Sequence, residues 1–334
     1  MKDVAHASSF KKILVTGGAG FIGQHLLAGL VAAGHQPTAL TRSVSKVENL
    51  SSVLRERVRW HELDLLNQEA VRELVKAERP SLLFHLAGTR GKGAGEEAQT
   101  ACQKLNVEAT ATLLESAKAS GVERVIIVGS AEEYGRQAGQ LKESLPMTPV
   151  SAYGISKAVA TRLAREMFEA ENFPVVILRP FTVYGPSQPR YMFVAAAIGC
   201  AVGGQPFRMT EGVQRRDLVY VDDAVRALML AASVPQLEGR SINIGSGRAE
   251  TLLDIARLIW RLSESRAPLL VGERVATPDE THDTWADITL ARELLNWEPR
   301  VSLEDGLRAT IEWARRQQEI FTTEGTEEHR GHSA

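Results

Sequence analysis

The sequence predicts a doubly wound α/β fold, a parallel sheet covered by helices on both faces. Two observations carry this expectation. Short continuous apolar runs alternate with helix-period segments through roughly the first 180 residues, and strands of that kind are buried on both faces. A glycine-rich turn, TGGAGFIG over Thr16–Gly23, joins the first run to the first helix, which is the strand–turn–helix context of a dinucleotide-binding unit.

The elements follow in order. Residues 1–10 read as a loose leader. Lys12–Thr16 is a short apolar strand, and Gly20–Ala33 has helical periodicity that Gly34 stops. Pro37–Thr41 and Val58–Leu63 are the next strands, followed by a helix near Gln68–Glu78. Ser81–Ala87 reads as a buried strand, Ala98–Ser120 as a long helix closed by Gly121, and Arg124–Gly129 as a strand. Ser151–Glu171 is a helix and Val175–Arg179 a strand.

After about residue 180 Pro and Gly punctuate the pattern, with further helices near Val221–Ala232 and Leu252–Leu262. Residues 11–180 are therefore expected to form the cofactor domain, with a segment near 218–245 returning to it. Residues 181–315 form mainly a smaller α/β substrate domain. The polar stretch 316–334 is expected to be a flexible tail.

Composition narrows the function. The chain has 334 residues, 44% hydrophobic and 24% charged, with a formal net charge of -2. That charge offers no attraction to nucleic acid or an anionic membrane. Cys102 and Cys200 are far apart and lack a metal spacing, so neither a zinc site nor a disulfide framework is expected, and the chain suits a reducing, cytoplasmic compartment. Lys11 and Lys12 before an apolar stretch superficially suggest a signal peptide. Gly17, Gly18, Gly20 and Gly23 break that stretch, and it has no clear cleavage site. No other run is long enough to span a bilayer.

Within Thr16–Gly23, Gly17, Gly20 and Gly23 are spaced so that the chain turns tightly and its backbone can approach a pyrophosphate. The helix that follows aims free N–H groups and its positive dipole end at that anion. At the end of the second strand an acidic residue would hydrogen-bond the adenosine ribose of NAD, whereas a 2′-phosphate favours Arg. Here the strand ends Thr41-Arg42-Ser43 with no carboxylate before Glu48. NADP(H) is therefore expected over NAD, unless Arg42 is merely a solvated surface residue. Asp64 either meets the adenine or caps a helix.

Tyr153 and Lys157, in SAYGISK, lie four apart on one helix face. A free phenol titrates near about 10, and a neighbouring ammonium lowers that value. Tyr153 could then give a proton to a carbonyl or take one from an alcohol, while Lys157 would also meet the nicotinamide ribose. Ser130 stands just after a buried strand at the carboxyl edge of the sheet, where such folds bind ligands. Its hydroxyl either polarises a substrate oxygen or caps a turn.

Taken together, TGGAGFIG, HLAG (His85–Gly88), GSAEEYG (Gly129–Gly135), YGISK, LRPFTVYGP (Leu178–Pro186) and RRDLVYVDDAV (Arg215–Val225) resemble the extended short-chain dehydrogenase/reductases of the nucleotide-sugar branch. The resemblance covers roughly residues 11–315, with the motifs in family order and spacing. It implies a Rossmann domain, a Ser130–Tyr153–Lys157 triad, and homodimerisation through a four-helix bundle built from Ala98–Ser120 and Ser151–Glu171. It also implies cofactor contacts from Gly17, Gly20, Phe21, Ile22, Gly23, Leu65, Leu86, Ala87, Gly88 and Pro180.

For the nucleotide sugar, the resemblance assigns the diphosphate to Arg216, with Arg215 and Arg216 as a solvated pair the alternative. Thr89 and Arg90 edge the sugar pocket. Asn243 and Asp279 or Glu280 fall in regions that commonly line the nucleotide. Thr182 replaces the Asn that many members carry, which leaves one contact in doubt.

Reductases, 4-epimerases and 4,6-dehydratases of the family share this machinery. Arg42 favours a net reductase fed by NADPH. The Asp-Glu pair that follows the residue matching Ser130 in dTDP-sugar dehydratases is Ala131-Glu132 here. Glu132 is thus a possible catalytic base or a structural carboxylate. The reading is an NADPH-dependent reductase of a nucleotide-linked 4-keto-6-deoxyhexose, ahead of a 4-epimerase and a dehydratase. A catalytically silent, cofactor-sensing member would be expected to lose Tyr153 or Lys157, and both are present.

Overall fold

The computed structural model describes residues 10–91, 95–275 and 283–328. The expected leader lies outside these residues except for Phe10. Seven strands form the main sheet: β1 (Ile13–Thr16), β2 (Thr38–Thr41), β3 (Arg59–Glu62), β4 (Leu82–His85), β5 (Arg124–Val128), β6 (Val175–Pro180) and β7 (Ser241–Ile244). All pairings are parallel, in the order β7-β6-β5-β4-β1-β2-β3. The chain winds outward in both directions from β1 and β4, so the crevice of a doubly wound sheet opens at their carboxyl ends. Thr16 pairs with His85 there, which sets the glycine turn beside the HLAG segment.

Strand alternation explains the two cores. Leu14, Leu83, Val125, Ile127, Val175 and Ile177 face one side and pack on α2 (Gln68–Glu78), α3 (Ala109–Ser120) and α4 (Ala152–Glu171). Ile13, Val15, Leu82, Phe84, Ile126 and Leu178 face the other and meet Leu26, Leu27 and Leu30 of α1 (Phe21–Ala32) and Leu228 of a later helix, Val221–Ser233. Burying each such aliphatic or aromatic side chain contributes about 1.5–3 kcal/mol, which is why these strands read as unbroken apolar runs.

Beyond β6, the helices Phe193–Val202, Leu252–Ser263 and Leu303–Glu328 pack on one another. A four-stranded sheet joins Glu250–Thr251, Arg215–Arg216, Thr284–Ala286 and Gly139–Leu141, so a short strand from the first half of the chain is built into the C-terminal layer. No helix among the described residues is long and apolar enough to cross a membrane.

Two expectations change. The single helix over Ala98–Ser120 is interrupted: Glu96–Cys102 is α-helical, Gln103–Glu108 is a π segment, and α3 follows. The polar residues 316–328, expected as a tail, continue the helix Leu303–Glu328. Arg, Gln and Glu are good helix formers, and polarity alone does not end a helix.

Candidate active site

The turn after β1 is shaped by close backbone approach. Gly17 has φ +71°, and a Cβ there would lie 2.7 Å from the Ala87 nitrogen. A Cβ on Gly23 would come within 2.1 Å of the Gly17 carbonyl oxygen. Gly20 caps α1 without a side-chain acceptor, so the first N–H groups of the helix point into the crevice. Gly17, Gly20, Phe21, Ile22, Gly23, Leu86, Gly88 and Pro180 all line one cavity of about 740 Å³. Side-chain-free backbone, uncapped helix N–H groups and this volume fit a dinucleotide. Ala87 lies behind the lining and donates its N–H to the Thr16 hydroxyl.

The residues read for cofactor choice sit apart from that lining. Thr41 is buried and donates its hydroxyl to the Ser43 carbonyl at 2.9 Å, and the Ser43 and Ser45 hydroxyls are 2.7 Å apart. Arg42 is exposed. Asp64 accepts from the Leu66 N–H at 3.0 Å, stiffening the turn before α2, and Leu65 is buried. Asn67, not Asp64, caps α2.

Ser130, Tyr153 and Lys157 converge on the cavity. Ser130 is held by its N–H, which donates to Glu133 at 2.8 Å, while its hydroxyl accepts from the Glu132 N–H at 3.1 Å. The turn-cap role and the placement beside Tyr153 therefore coexist. Ser151 caps α4 by accepting from the Gly154 N–H at 2.9 Å, which starts the helix that carries Tyr153 and Lys157. The Lys157 ammonium donates to the Val128 carbonyl at 2.5 Å. Burial pushes it down to about 8, and burial pushes the Tyr153 phenol up to about 12 against the pull of Arg90 and a Ser130 hydrogen bond. Glu132 lines the same cavity but is engaged: it pairs with Arg90 and accepts the Ser151 hydroxyl at 2.8 Å.

Thr89, Arg90, Thr182 and Arg216 line the cavity as well. Asn243 does not. It is fully buried at the edge of the sheet, accepts from the Tyr134 hydroxyl at 2.8 Å and donates to the Leu141 carbonyl at 2.9 Å. Its polar atoms are used in joining β7 to the Gly139–Leu141 strand, which removes it from the substrate set. Asp279 and Glu280 lie outside the described residues.

Sequence reasoning missed three residues that build the site. Glu133 receives the Ser130 N–H, the Thr161 hydroxyl of α4 at 3.0 Å and the Arg179 guanidinium of β6 at 2.7 Å. Arg179 ending an otherwise apolar strand was a signal, because a buried Arg needs a carboxylate. Asn106, in the π segment, clamps Thr89: its Oδ1 accepts the Thr89 N–H at 2.8 Å and its amide donates to the Thr89 carbonyl at 2.7 Å. π turns inside α-helices often sit at functional sites, and here the turn aims Asn106 at Thr89, which lines the cavity.

The NAD dependent epimerase/dehydratase family model matches residues 13–245. The chain is 32% identical over 317 residues to an uncharacterized UDP-glucose epimerase, YtcB, of Bacillus subtilis, covering 90% of this chain and 96% of that protein. Among solved structures it resembles a UDP-glucose 4-epimerase with UDP-glucose from Thermotoga maritima, with a TM-score of 0.85 and 29% identity over 92% of this chain and 99% of the other. It also resembles a UDP-glucuronic acid 4-epimerase from Bacillus cereus in complex with UDP-glucuronic acid and NAD, with a TM-score of 0.82 and 30% identity over 92% and 99%. These names favour the epimerase alternative over the reductase reading of the sequence.

Proposed function

The chain belongs to the NAD dependent epimerase/dehydratase family, and from that premise we propose that it inverts C4 of a nucleotide-activated sugar. The carrying observation is that the glycine turn, Ser130, Tyr153, Lys157 and Arg216 all open into one cavity of about 740 Å³, within the size range of small-molecule sites. Arg216 would grip the diphosphate with its fork of donors, and Thr89 and Thr182 would border the sugar. Tyr153 would take the proton from the C4 hydroxyl while Ser130 holds the same oxygen, and would return the proton once the epimer forms. The glycine turn, Lys157 and Pro180 would hold a nicotinamide cofactor, which would supply reversible hydride transfer at C4. A dehydratase would need a free acid–base pair after Ser130, but Ala131 has no such group and Glu132 is tied to Arg90 and Ser151.

One observation, the Thr41-Arg42-Ser43 strand end, favours a second reading as a net reductase of a nucleotide-linked 4-keto-6-deoxyhexose. The family is NAD-dependent, and the absence of an acid at this strand end supports tighter binding of NADP(H) in this chain. A homodimer through α3 and α4 is supported by the groove between them, lined in part by Ala111, Ala119, Leu163 and Met167, and by exposed Ile155 and Val159.

The deciding experiment supplies UDP-glucose and UDP-glucuronic acid without added reductant, and separately GDP- and CDP-linked 4-keto-6-deoxyhexoses with NADPH. Formation of the C4 epimer with no net change in nicotinamide absorbance supports this reading. Stoichiometric NADPH oxidation with a product two mass units heavier replaces it with the reductase.

A further inference from the structure

Tyr153 has a cation close to its ring that the Tyr–Lys helix does not supply. The Arg90 guanidinium carbon lies 4.4 Å from the ring centroid. Arg90 follows β4, on a loop whose backbone is fixed from two sides. Asn106 clamps both polar groups of Thr89 and also donates to the Ser156 hydroxyl of α4 at 2.8 Å. The Gly91 N–H donates to the Thr89 hydroxyl at 3.1 Å. The guanidinium itself is paired with Glu132, and Glu132 is fixed in turn by the Ser151 hydroxyl and by its own N–H on Ser130. The π segment, the turn that carries Ser130 and the helix that carries Tyr153 thus agree on where Arg90 sits.

From this geometry we propose that Arg90 is a positioning residue for the acid–base step: clamped by Asn106 through Thr89 and aimed by Glu132, it stabilises the phenolate of Tyr153. The physical reason is charge. A guanidinium over a neutral phenol ring gains a modest cation–π attraction. Over a phenolate it gains the attraction of a full opposite charge, in a site partly removed from water. Arg90 therefore favours the deprotonated form that abstracts the sugar proton.

The other charged groups around Tyr153 do not remove the need for it. Lys157 is one helical turn away and donates to the Val128 carbonyl. Glu132 and Glu133, both from the turn after β5, oppose the phenolate. Tyr191, Arg216 and Asp217 complete the titratable lining of the cavity. Arg90 and a hydrogen bond from Ser130 both favour the Tyr153 phenolate. An arginine suits this task better than a lysine, because it lies flat on a ring and stays charged.

The inference rests on Tyr153 being the acid–base residue of the proposed function, so its test has one arm that needs no sugar. Holoenzyme of the wild type, Arg90→Gln, Arg90→Lys and Tyr153→Phe is titrated by ultraviolet difference absorbance. The step missing from Tyr153→Phe belongs to Tyr153. Arg90→Gln should move that step to higher pH, as far as the alkaline limit of the folded protein, and Arg90→Lys by less. In the second arm, kcat/KM for Arg90→Gln should fall about tenfold at every pH well below the phenolate step, the equivalent of a one-unit shift, and Arg90→Lys should restore part of it. A phenolate step that stays in place, or an Arg90→Lys variant no more active than Arg90→Gln, overturns the proposal and makes Arg90 a substrate contact. If the titration step moves but no nucleotide sugar is epimerised, the proposed function fails while the Arg90 assignment stands.

Discussion

Glu133 and Arg179 meet at 2.7 Å in an ion pair whose two side chains are 0% and 2% exposed. The pair ties the turn after β5 to the end of β6, and through the Thr161 hydroxyl to α4. Because Glu133 also receives the Ser130 N–H, the position of Ser130 on the cavity wall depends on a salt bridge outside the lining.

Breaking this pair on one side should cost far more than removing it whole. Glu133→Gln leaves the buried Arg179 uncompensated, and urea unfolding should show a loss of about 3–5 kcal/mol. Glu133→Gln combined with Arg179→Met should recover part of that loss, since no unpaired charge remains. A double variant no more stable than the single one would mean that the pair is not the reason for the loss.

Tyr153→Phe should lower turnover by about 10²–10⁴-fold, the usual worth of a positioned acid–base group, with cofactor affinity unchanged. The ring and its packing survive; the transferable proton does not. Lys157→Ala should reduce both turnover and cofactor affinity, because the proposed ammonium contact is with the ribose. Turnover close to wild type in Tyr153→Phe would show that the proton travels by another group.

Arg42→Ala should weaken NADPH binding more than NADH binding, by a difference of about 1.5–3 kcal/mol if one charge-assisted contact to the 2′-phosphate is lost. Fluorescence titration of both cofactors in both proteins measures it. Equal losses, or a wild-type preference for NADH, would assign the exposed Arg42 to solvent and leave NAD as the working cofactor.

His85 should make the fold acid-sensitive. It is buried between the Thr16 hydroxyl at 2.7 Å and the Thr110 hydroxyl at 2.8 Å. The Thr110 hydroxyl donates to the Asn106 carbonyl, so Nε2 of His85 is the donor to Thr110 and Nδ1 the acceptor from Thr16, a neutral ring. Burial, reinforced by Lys157, lowers its pKa to about 3. The unfolded chain takes up this proton below about 6.5, whereas the native state does not until about 3. Stability is therefore full above the upper value and declines as pH falls between the two, by about 1.4 kcal/mol per pH unit. Urea midpoints at pH 7.5 and 5.5 should differ more for the wild type than for His85→Gln. Identical slopes would place the acid sensitivity elsewhere.

The amino-acid sequence alone determined the fold class, the glycine turn and the Ser130, Tyr153 and Lys157 positions. These are local properties: apolar runs mark strands, glycine marks close backbone approach, and a spacing of four sets two side chains on one helix face. It determined much less about electrostatics, because those partners are distant in the chain. Arg90 and Glu132 are 42 residues apart, and Glu133 and Arg179 46. Only the packing of β4, β5, β6 and α4 brings them together. The same packing turned Asn243 inward, where its amide joins two sheets instead of facing a ligand. It also bent the helix before α3 into the π segment that aims Asn106 at Thr89. Side-chain charge and amide geometry act through space, so their roles were decided by the tertiary structure.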